Sequence, residues 1–100
     1  MPIYEVEFRP RAARAFEKLG HAEKRQFARK LDERRRNPHV PGDAFRGIPD
    51  AYLLKLRSSG LRLVYQVQDD VLVILVLAVG RRDREEAYKN AIREFGKLGN

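Results

Sequence analysis

The second half of the chain concentrates cationic and phenolic side chains. Its members are Lys55, Arg57, Arg62, Arg81, Arg82 and Tyr88. Such a set suits cleavage of a phosphodiester by a neighbouring 2′-hydroxyl, which must lose a proton while the phosphorane gains negative charge. Arginines aimed at the non-bridging oxygens stabilise that charge. A lysine among other cations gives up its proton more readily, because like charges disfavour its protonated form, and it can then serve as a base.

The sequence excludes several other kinds of site. Without cysteine there is no disulfide and no thiolate metal site. The two histidines, His21 and His39, lack the spacing of a metal-binding pair, and each follows a helix-ending glycine or proline, so we expect solvated loop residues. The glycines are isolated, and no Gly-rich phosphate loop is present. We therefore expect neither a metal nor a cofactor.

The charge balance favours a polyanionic or acidic partner. Lysine and arginine number 21 against 14 aspartates and glutamates, for a net charge of +7 and a pI near 10.1. The longest apolar run, 71–79, is shorter than the roughly 20 residues of a membrane helix, and the N-terminus lacks a signal-peptide pattern. These features predict a cytoplasmic protein with no membrane partner, folded as a single domain over residues 1–100.

The first third of the chain predicts a strand and two helices. Apolar and polar residues alternate over 3–8, as in a half-buried strand. A helix follows, and Gly20 is predicted to be its C-cap. The second helix is predicted over about 22–36, with Phe27 and Leu31 as a narrow apolar stripe on an otherwise charged surface.

A connection over 38–50 then leads into a β-hairpin whose register decides where the cations lie. A connection of even length, for example 58–61, places Arg57 opposite Arg62 and Lys55 opposite Val64. All three cations then share one face of the sheet, and the other face is apolar. A slip of one residue would bury the arginines, so the hydrophobic pattern selects this arrangement.

The last third predicts a buried strand and a final helix. The run 71–79 is apolar on both faces, as in a central strand, and Gly80 is predicted to end it. Asp83 is predicted as the N-cap of the last helix, with Glu86 in the capping-box position. Its apolar stripe comprises Tyr88, Ala91, Ile92, Phe95 and Leu98. The order is strand, helix, helix, three strands, helix, which indicates an α/β domain of the α+β type.

Two long segments resemble the RelE toxins of bacterial toxin–antitoxin pairs. They are Gly47-Ile48-Pro49-Asp50-Ala51-Tyr52 with its continuation to residue 67, and the segment 79–88. The resemblance implies the family's fold, a small antiparallel sheet in the order β-α-α-β-β-β-α. It also implies a ribosome-dependent endoribonuclease that cuts mRNA in the A site, leaves a 2′,3′-cyclic phosphate, and is held inactive by a RelB-like antitoxin.

The resemblance also implies roles for particular residues. Lys55 matches a family lysine proposed as base or phosphate contact, and Arg62 matches the arginine that stabilises the phosphorane. Arg82 matches an arginine proposed to contact the phosphate or act as acid. An arginine rarely gives up its proton, so we expect charge stabilisation from Arg82. Tyr88 matches a tyrosine that stacks on or orients the substrate. Where relatives carry a second lysine, two residues before Lys55, this chain has Leu53.

Arg57 and Arg81 complete the prediction as RNA-binding residues. Each candidate has a structural alternative: Lys55 and Arg57 could be ordinary solvent-facing residues, and Arg82 could simply flank the last helix. Tyr88 shares the apolar stripe of that helix and could serve packing alone.

Two other functions fit the same fold. A ParE-like relative would inhibit DNA gyrase without nuclease activity, and a decayed toxin would bind only its antitoxin, with Leu53 as a sign of lost activity. Retention of the four matched residues favours the nuclease. The partners expected from the resemblance are a RelB-like antitoxin, the ribosome and mRNA, and operator DNA through the antitoxin complex.

Overall fold

The computed structural model describes residues 2–99 and confirms the predicted order of elements. In that order the seven elements are β1 (Glu5–Phe8), α1 (Pro10–Glu17), α2 (His21–Arg34), β2 (Ala51–Leu56), β3 (Leu61–Gln68), β4 (Val73–Arg81) and α3 (Glu86–Leu98). A short 3₁₀ turn, Pro41–Asp43, lies in the connection before β2. The α+β class is therefore confirmed, although several helices and strands begin or end at residues other than those predicted.

The four strands form one mixed sheet in the order β1-β4-β3-β2. Strands β2, β3 and β4 are antiparallel neighbours, but β1 pairs in parallel with β4. The prediction of an antiparallel sheet is thus wrong for β1, which is parallel to its neighbour. The chain leaves β1 through two helices and returns by way of β2 and β3, so β4 runs in the same direction as β1. Both β1 and β2 are edge strands.

The helices cover opposite faces of the sheet. Helices α1 and α2 pack on one face, where Phe27 and Leu31 are buried as predicted. Helix α3 packs on the other face through Ala87 and Ala91. Strand β4 lies between these layers and is buried along most of its length, as expected for a strand covered on both sides.

The β2–β3 hairpin keeps the predicted faces but not the predicted pairs. Lys55 pairs with Arg62 and Leu56 with Leu61, so the connection is 57–60 and the predicted register was wrong by two residues. An even shift leaves every side chain on its own face, which is why the separation of cations from leucines still holds. The observed register buries Leu61 against the apolar face, and Gly60 supplies a positive φ of 72° in the turn.

Three predicted helix and strand ends were wrong. Gly20 does not end α1, which stops at Glu17; it is the N-cap of α2. Strand β4 does not begin at Val71, because Val71 and Leu72 lie in the exposed β3–β4 turn. Gly80 does not end β4, which continues through Arg81.

The start of α3 also differs from the capping-box prediction. The N-cap is Glu85, with a left-handed φ of 54°, and not Asp83. Asp83 instead forms an ion pair with Arg81 at 3.3 Å. The backbone N–H of Arg81 donates to Oε1 of Glu86 at 3.2 Å. Residues 82–85 therefore form a turn that reverses the chain before the helix begins.

Helix α3 buries a carboxylate that its apolar stripe did not predict. Glu94 is 3% exposed and accepts hydrogen bonds from Nε of Arg9 at 3.0 Å and Nζ of Lys97 at 3.2 Å. Ile92, predicted to be buried, is 47% exposed. Because Arg9 immediately precedes α1, this ion pair ties α3 to the junction of β1 and α1.

Substituting Glu94→Gln is expected to cost about 2 kcal/mol of unfolding free energy near neutral pH, since hydrogen bonds to a charged group are lost. Burial alone would raise the pKa of Glu94, but the hydrogen bonds and charges of Arg9 and Lys97 lower it overall. The stabilisation is therefore complete above the ordinary glutamate pKa and is lost as pH falls through the lowered value. Urea unfolding from pH 7 to pH 2 measures this difference. A gap between wild type and variant that stays constant into acid would contradict the assignment.

The two histidines do not behave as free loop residues. His21 is the first residue of α2. The ring of His39 bridges the hydroxyl of Tyr52 at 2.8 Å and the carboxylate of Asp69 at 2.9 Å. Hydrogen bonds from Tyr4 and His39 lower the pKa of Asp69. This network lies on the face covered by α1 and α2, away from the predicted cations.

Candidate active site

Strand pairing sets Lys55, Arg62 and Gly80 side by side across the sheet. Lys55 on β2 pairs with Arg62 on β3, and Arg62 pairs with Gly80 on β4. All three positions face the layer that contains α3. The row therefore offers two cations in succession, followed by a position with no side chain.

Gly80 allows the start of α3 to lie directly on the sheet beside Arg62. A Cβ atom at Gly80 would lie 2.7 Å from Cβ of Glu86 and 2.9 Å from the backbone nitrogen of Ala87. From the sequence, this glycine was expected only to end a strand, and its part in the site was not predicted. Gly80 lies opposite Arg62 because of the register between β3 and β4, which the sequence did not predict.

These elements enclose a cleft of about 400 Å³, here called the cationic cleft. Strand β2 and the following turn, β3, the turn after β4 and α3 all contribute to its wall, which consists of Leu53, Lys55, Arg57, Arg62, Arg82 and Tyr88. Among residues 2–99, no acidic side chain lines the cleft. All four predicted catalytic residues and one predicted RNA-binding residue are thus brought together by the fold.

Arg62 is the unusual member of the cleft because its guanidinium is buried without an acidic partner. The residue is 6% exposed, and within residues 2–99 its side chain makes one hydrogen bond, from Nη1 to the carbonyl oxygen of Leu61 at 3.0 Å. Its Nε is buried with no hydrogen-bond acceptor. Within residues 2–99, no carboxylate lies within 4 Å of it. A buried cation left in this state is destabilising unless an anion completes it.

The other cations of the cleft are exposed and unpaired within residues 2–99. Lys55, Arg57 and Arg82 have no carboxylate within 4 Å and no side-chain hydrogen bond, although the backbone N–H of Arg82 donates to the carbonyl of Gly60 at 2.8 Å. That bond holds the turn after β4 against the β2–β3 turn. The cleft therefore presents four positive charges that the protein does not neutralise.

Tyr88 serves both packing and the cleft. Its ring lies 5.7 Å from that of Phe45 and packs against the core layer under α3, yet the residue remains half-buried and lines the cleft. The packing role that was the alternative for Tyr88 is therefore present, but it accounts for only part of the contacts of its side chain. A ring held in this way is restrained in orientation, which suits stacking on a base.

Arg81, the other predicted RNA-binding residue, lies outside the cleft. It does not line the cavity, and its guanidinium is paired with Asp83. No group of His, Asp or Glu side chains within residues 2–99 has the arrangement of a metal site. In the same range, no helix has the length and apolar character needed to cross a membrane.

Comparison with known proteins shows the family. Residues 6–86 match the family of ParE toxins of type II toxin–antitoxin systems, parDE. The chain is 43% identical over 92 residues to the mRNA interferase toxin RelE of Escherichia coli K12, covering 92% of this chain and 97% of that protein.

Solved structures agree with the sequence comparison. A double arginine-to-alanine mutant of E. coli RelE in the free state matches with a TM-score of 0.85 and 41% identity, covering 91% of this chain and 96% of that one. The intact E. coli RelBE toxin–antitoxin complex matches with a TM-score of 0.76 and 44% identity, covering 78% and 95%. The chain therefore belongs to the RelE-type toxins of the RelE/ParE superfamily.

Proposed function

We propose that this toxin is a ribosome-dependent endoribonuclease that cleaves mRNA in the A site and so stops translation. The observation that carries the proposal is the buried guanidinium of Arg62 in the cationic cleft, which has no acidic partner within residues 2–99 and whose Nε has no hydrogen-bond acceptor. A surface that only binds gyrase has no need of a buried unpaired cation. The negative charge that develops on a phosphorane, in contrast, is stabilised by such a cation.

The reaction follows from the charges in the cleft. The message's 2′-oxygen loses its proton and attacks the adjacent phosphorus, and the bond to the 5′-oxygen breaks as that oxygen gains a proton. The products are a 2′,3′-cyclic phosphate and a free 5′-hydroxyl. Arg62 and Arg82 stabilise the phosphorane, and Lys55 acts as base or phosphate contact. Tyr88 orients the nucleotide by stacking, Arg57 binds the RNA backbone in the cleft, and Arg81 binds it outside the cleft.

The partners follow from the same surface. The relative in the RelBE complex is bound by its antitoxin, and we propose a RelB-like antitoxin for this chain too. An acidic segment lying across the four free cations of the cleft would compete with RNA by charge. The toxin would then act on ribosomes in the cytoplasm and reach operator DNA only within the antitoxin complex.

The test is cleavage on ribosomes programmed with a defined message, with ends mapped by primer extension. Wild type should cut within the A-site codon and leave free RNA intact. Arg82→Ala should lose most of the activity, because a charge-stabilising group leaves the cleft. Arg29→Ala removes the same charge from an exposed position on α2 and should cut normally. Absence of cuts by folded wild type would refute the nuclease, and a supercoiling assay with gyrase would then test the ParE-like alternative.

Leu53 provides a gain-of-function prediction. Its half-buried side chain lines the cleft two residues before Lys55, where the RelE resemblance places a second lysine. Leu53→Lys should raise the single-turnover cleavage rate by about tenfold, because a further cation assists proton transfer or binds phosphate. Leu53→Met keeps the volume without the charge and should leave the rate unchanged. Equal rates for both variants would show that the missing lysine does not limit this toxin.

A further inference from the structure

The cationic cleft continues around the open edge of the sheet. Within residues 2–99, β2 is an edge strand: an isolated bridge joins Ala44 to Tyr52 near its start, but no further strand covers it beside Lys55. Two smaller concavities of about 340 and 170 Å³ adjoin the cleft there, and both are lined by Lys55 and Arg57. Both also include Lys30 of α2, and the larger one includes Gln26. Lys30 therefore extends the row of cations from the sheet onto a helix.

Lys30 is a free cation in this position. Its neighbour Arg34 is occupied, because it pairs with Asp43 at 2.6 Å and donates to the hydroxyl of Tyr65 at 2.8 Å. Lys30 is exposed and has no carboxylate within 4 Å and no side-chain hydrogen bond within residues 2–99. The positive charge that continues the cleft is thus available to a ligand.

The preceding residue on α2 provides a natural comparison. Helix α2 buries Phe27 and Leu31 against the sheet, and successive residues are turned by about 100° around a helix. Arg29 lies two residues after Phe27, about 200° around the axis, and so faces away from the sheet. It is also exposed and unpaired within the described residues, but it lines none of the three concavities.

We propose that the message leaves the cationic cleft around the edge of β2 and that Lys30 binds the phosphate of a nucleotide flanking the cleaved bond. This inference rests on the proposed function and names a further RNA-binding residue for it. A lysine holds phosphate as a flexible point charge, which suits a strand that passes without chemistry. Gln26, one turn earlier on the helix, can donate to and accept from a base or ribose at the same point.

The absence of cysteine from the chain permits a direct test. Lys30→Cys and, as the matched control, Arg29→Cys each carry a thiol-linked benzophenone and are bound to ribosomes with a labelled message. A 2′-deoxy nucleotide at the cleavage site prevents cutting, so crosslinking does not depend on nuclease activity. Crosslinks from position 30, and not from 29, to message nucleotides flanking the A-site codon are expected. Crosslinks to ribosomal RNA only, equal crosslinks from both positions, or none would overturn the inference.

Affinity measurements separate this inference from the nuclease proposal. Lys30→Ala should raise the concentration of toxin needed for half-maximal cleavage several-fold and leave the single-turnover rate at saturation unchanged. A plot of the logarithm of the binding constant against the logarithm of salt concentration should become less steep by about 0.7, because one phosphate contact is lost. Lys30→Arg should restore affinity. If wild type cleaves and Lys30→Ala matches Arg29→Ala, the inference alone fails. If the benzophenone-labelled Lys30→Cys protein crosslinks to the message but wild type never cleaves it, the nuclease proposal fails and the binding path stands.

Discussion

Replacing Arg62 by methionine is expected to lower cleavage on the ribosome by about 10² to 10³-fold while leaving the fold at least as stable. The loss follows from removing a donor aimed at the phosphorane. The stability follows from the buried Nε, which has no acceptor in the free protein. Methionine removes this unsatisfied group and fills similar volume, so the unfolding free energy should rise by about 1 kcal/mol or stay level.

Single-turnover cleavage and urea unfolding measure the two effects on the same preparations. Arg62→Lys keeps a charge but loses the planar fork, so it should recover only part of the activity. Arg29→Met is the matched control, because it makes the same change at an exposed position that lines no part of the cleft. A variant at position 62 that is strongly destabilised would show that Arg62 serves the fold and would contradict its assignment to the active site.

Gly80→Ala is expected to damage both the fold and the site. The new Cβ would lie within 3.0 Å of backbone and Cβ atoms at the start of α3, and a backbone cannot yield as a flexible side chain does. We expect a loss of about 1 to 3 kcal/mol in unfolding free energy from this overpacking. The helix must shift away from Arg62 and carry Tyr88 with it, so cleavage should fall by about 10²-fold even in folded protein.

Gly42 offers the matched control, since a Cβ there meets nothing within 4 Å. Gly42→Ala should leave both cleavage and stability close to wild type. Comparing the variants at temperatures where both are fully folded separates misplacement of the site from loss of fold. Normal cleavage by folded Gly80→Ala would mean that the close approach of α3 to the sheet is not needed for the reaction.

The sequence predicted which face each cation occupies, because side-chain alternation in a strand depends only on parity. Lys55 and Arg62 therefore came out on one face even though the hairpin register was wrong by two residues. The buried β4 and the stripe of Phe27 and Leu31 were predictable for a similar reason, since hydrophobic periodicity follows directly from local geometry.

Features that depend on distant contacts could not be predicted in this way. The burial of Arg62 depends on α3 lying over Gly80, and an arginine read alone is expected to be exposed. Glu94 lies at a buried helix position because Arg9, far away in the sequence, pairs with it. Asp83 is of a residue type that is common at the N-cap, but its carboxylate pairs with Arg81 and does not cap the helix.

The parallel pairing of β1 with β4 bears on how the toxin acquires its activity during synthesis. Strands β2, β3 and β4 are joined by short turns and can assemble locally, whereas β1 must close a loop of about 70 residues, at an entropic cost of about 4 kcal/mol. The cleft draws its residues from 53–88, and α3 follows β4 in the chain. If the proposed function holds, a nascent chain that has not yet added Arg82 and Tyr88 lacks part of the cleft wall and is expected not to cleave the message. Under the proposed function, the cleft is complete only after α3 has followed β4 out of the ribosome and closed over Gly80.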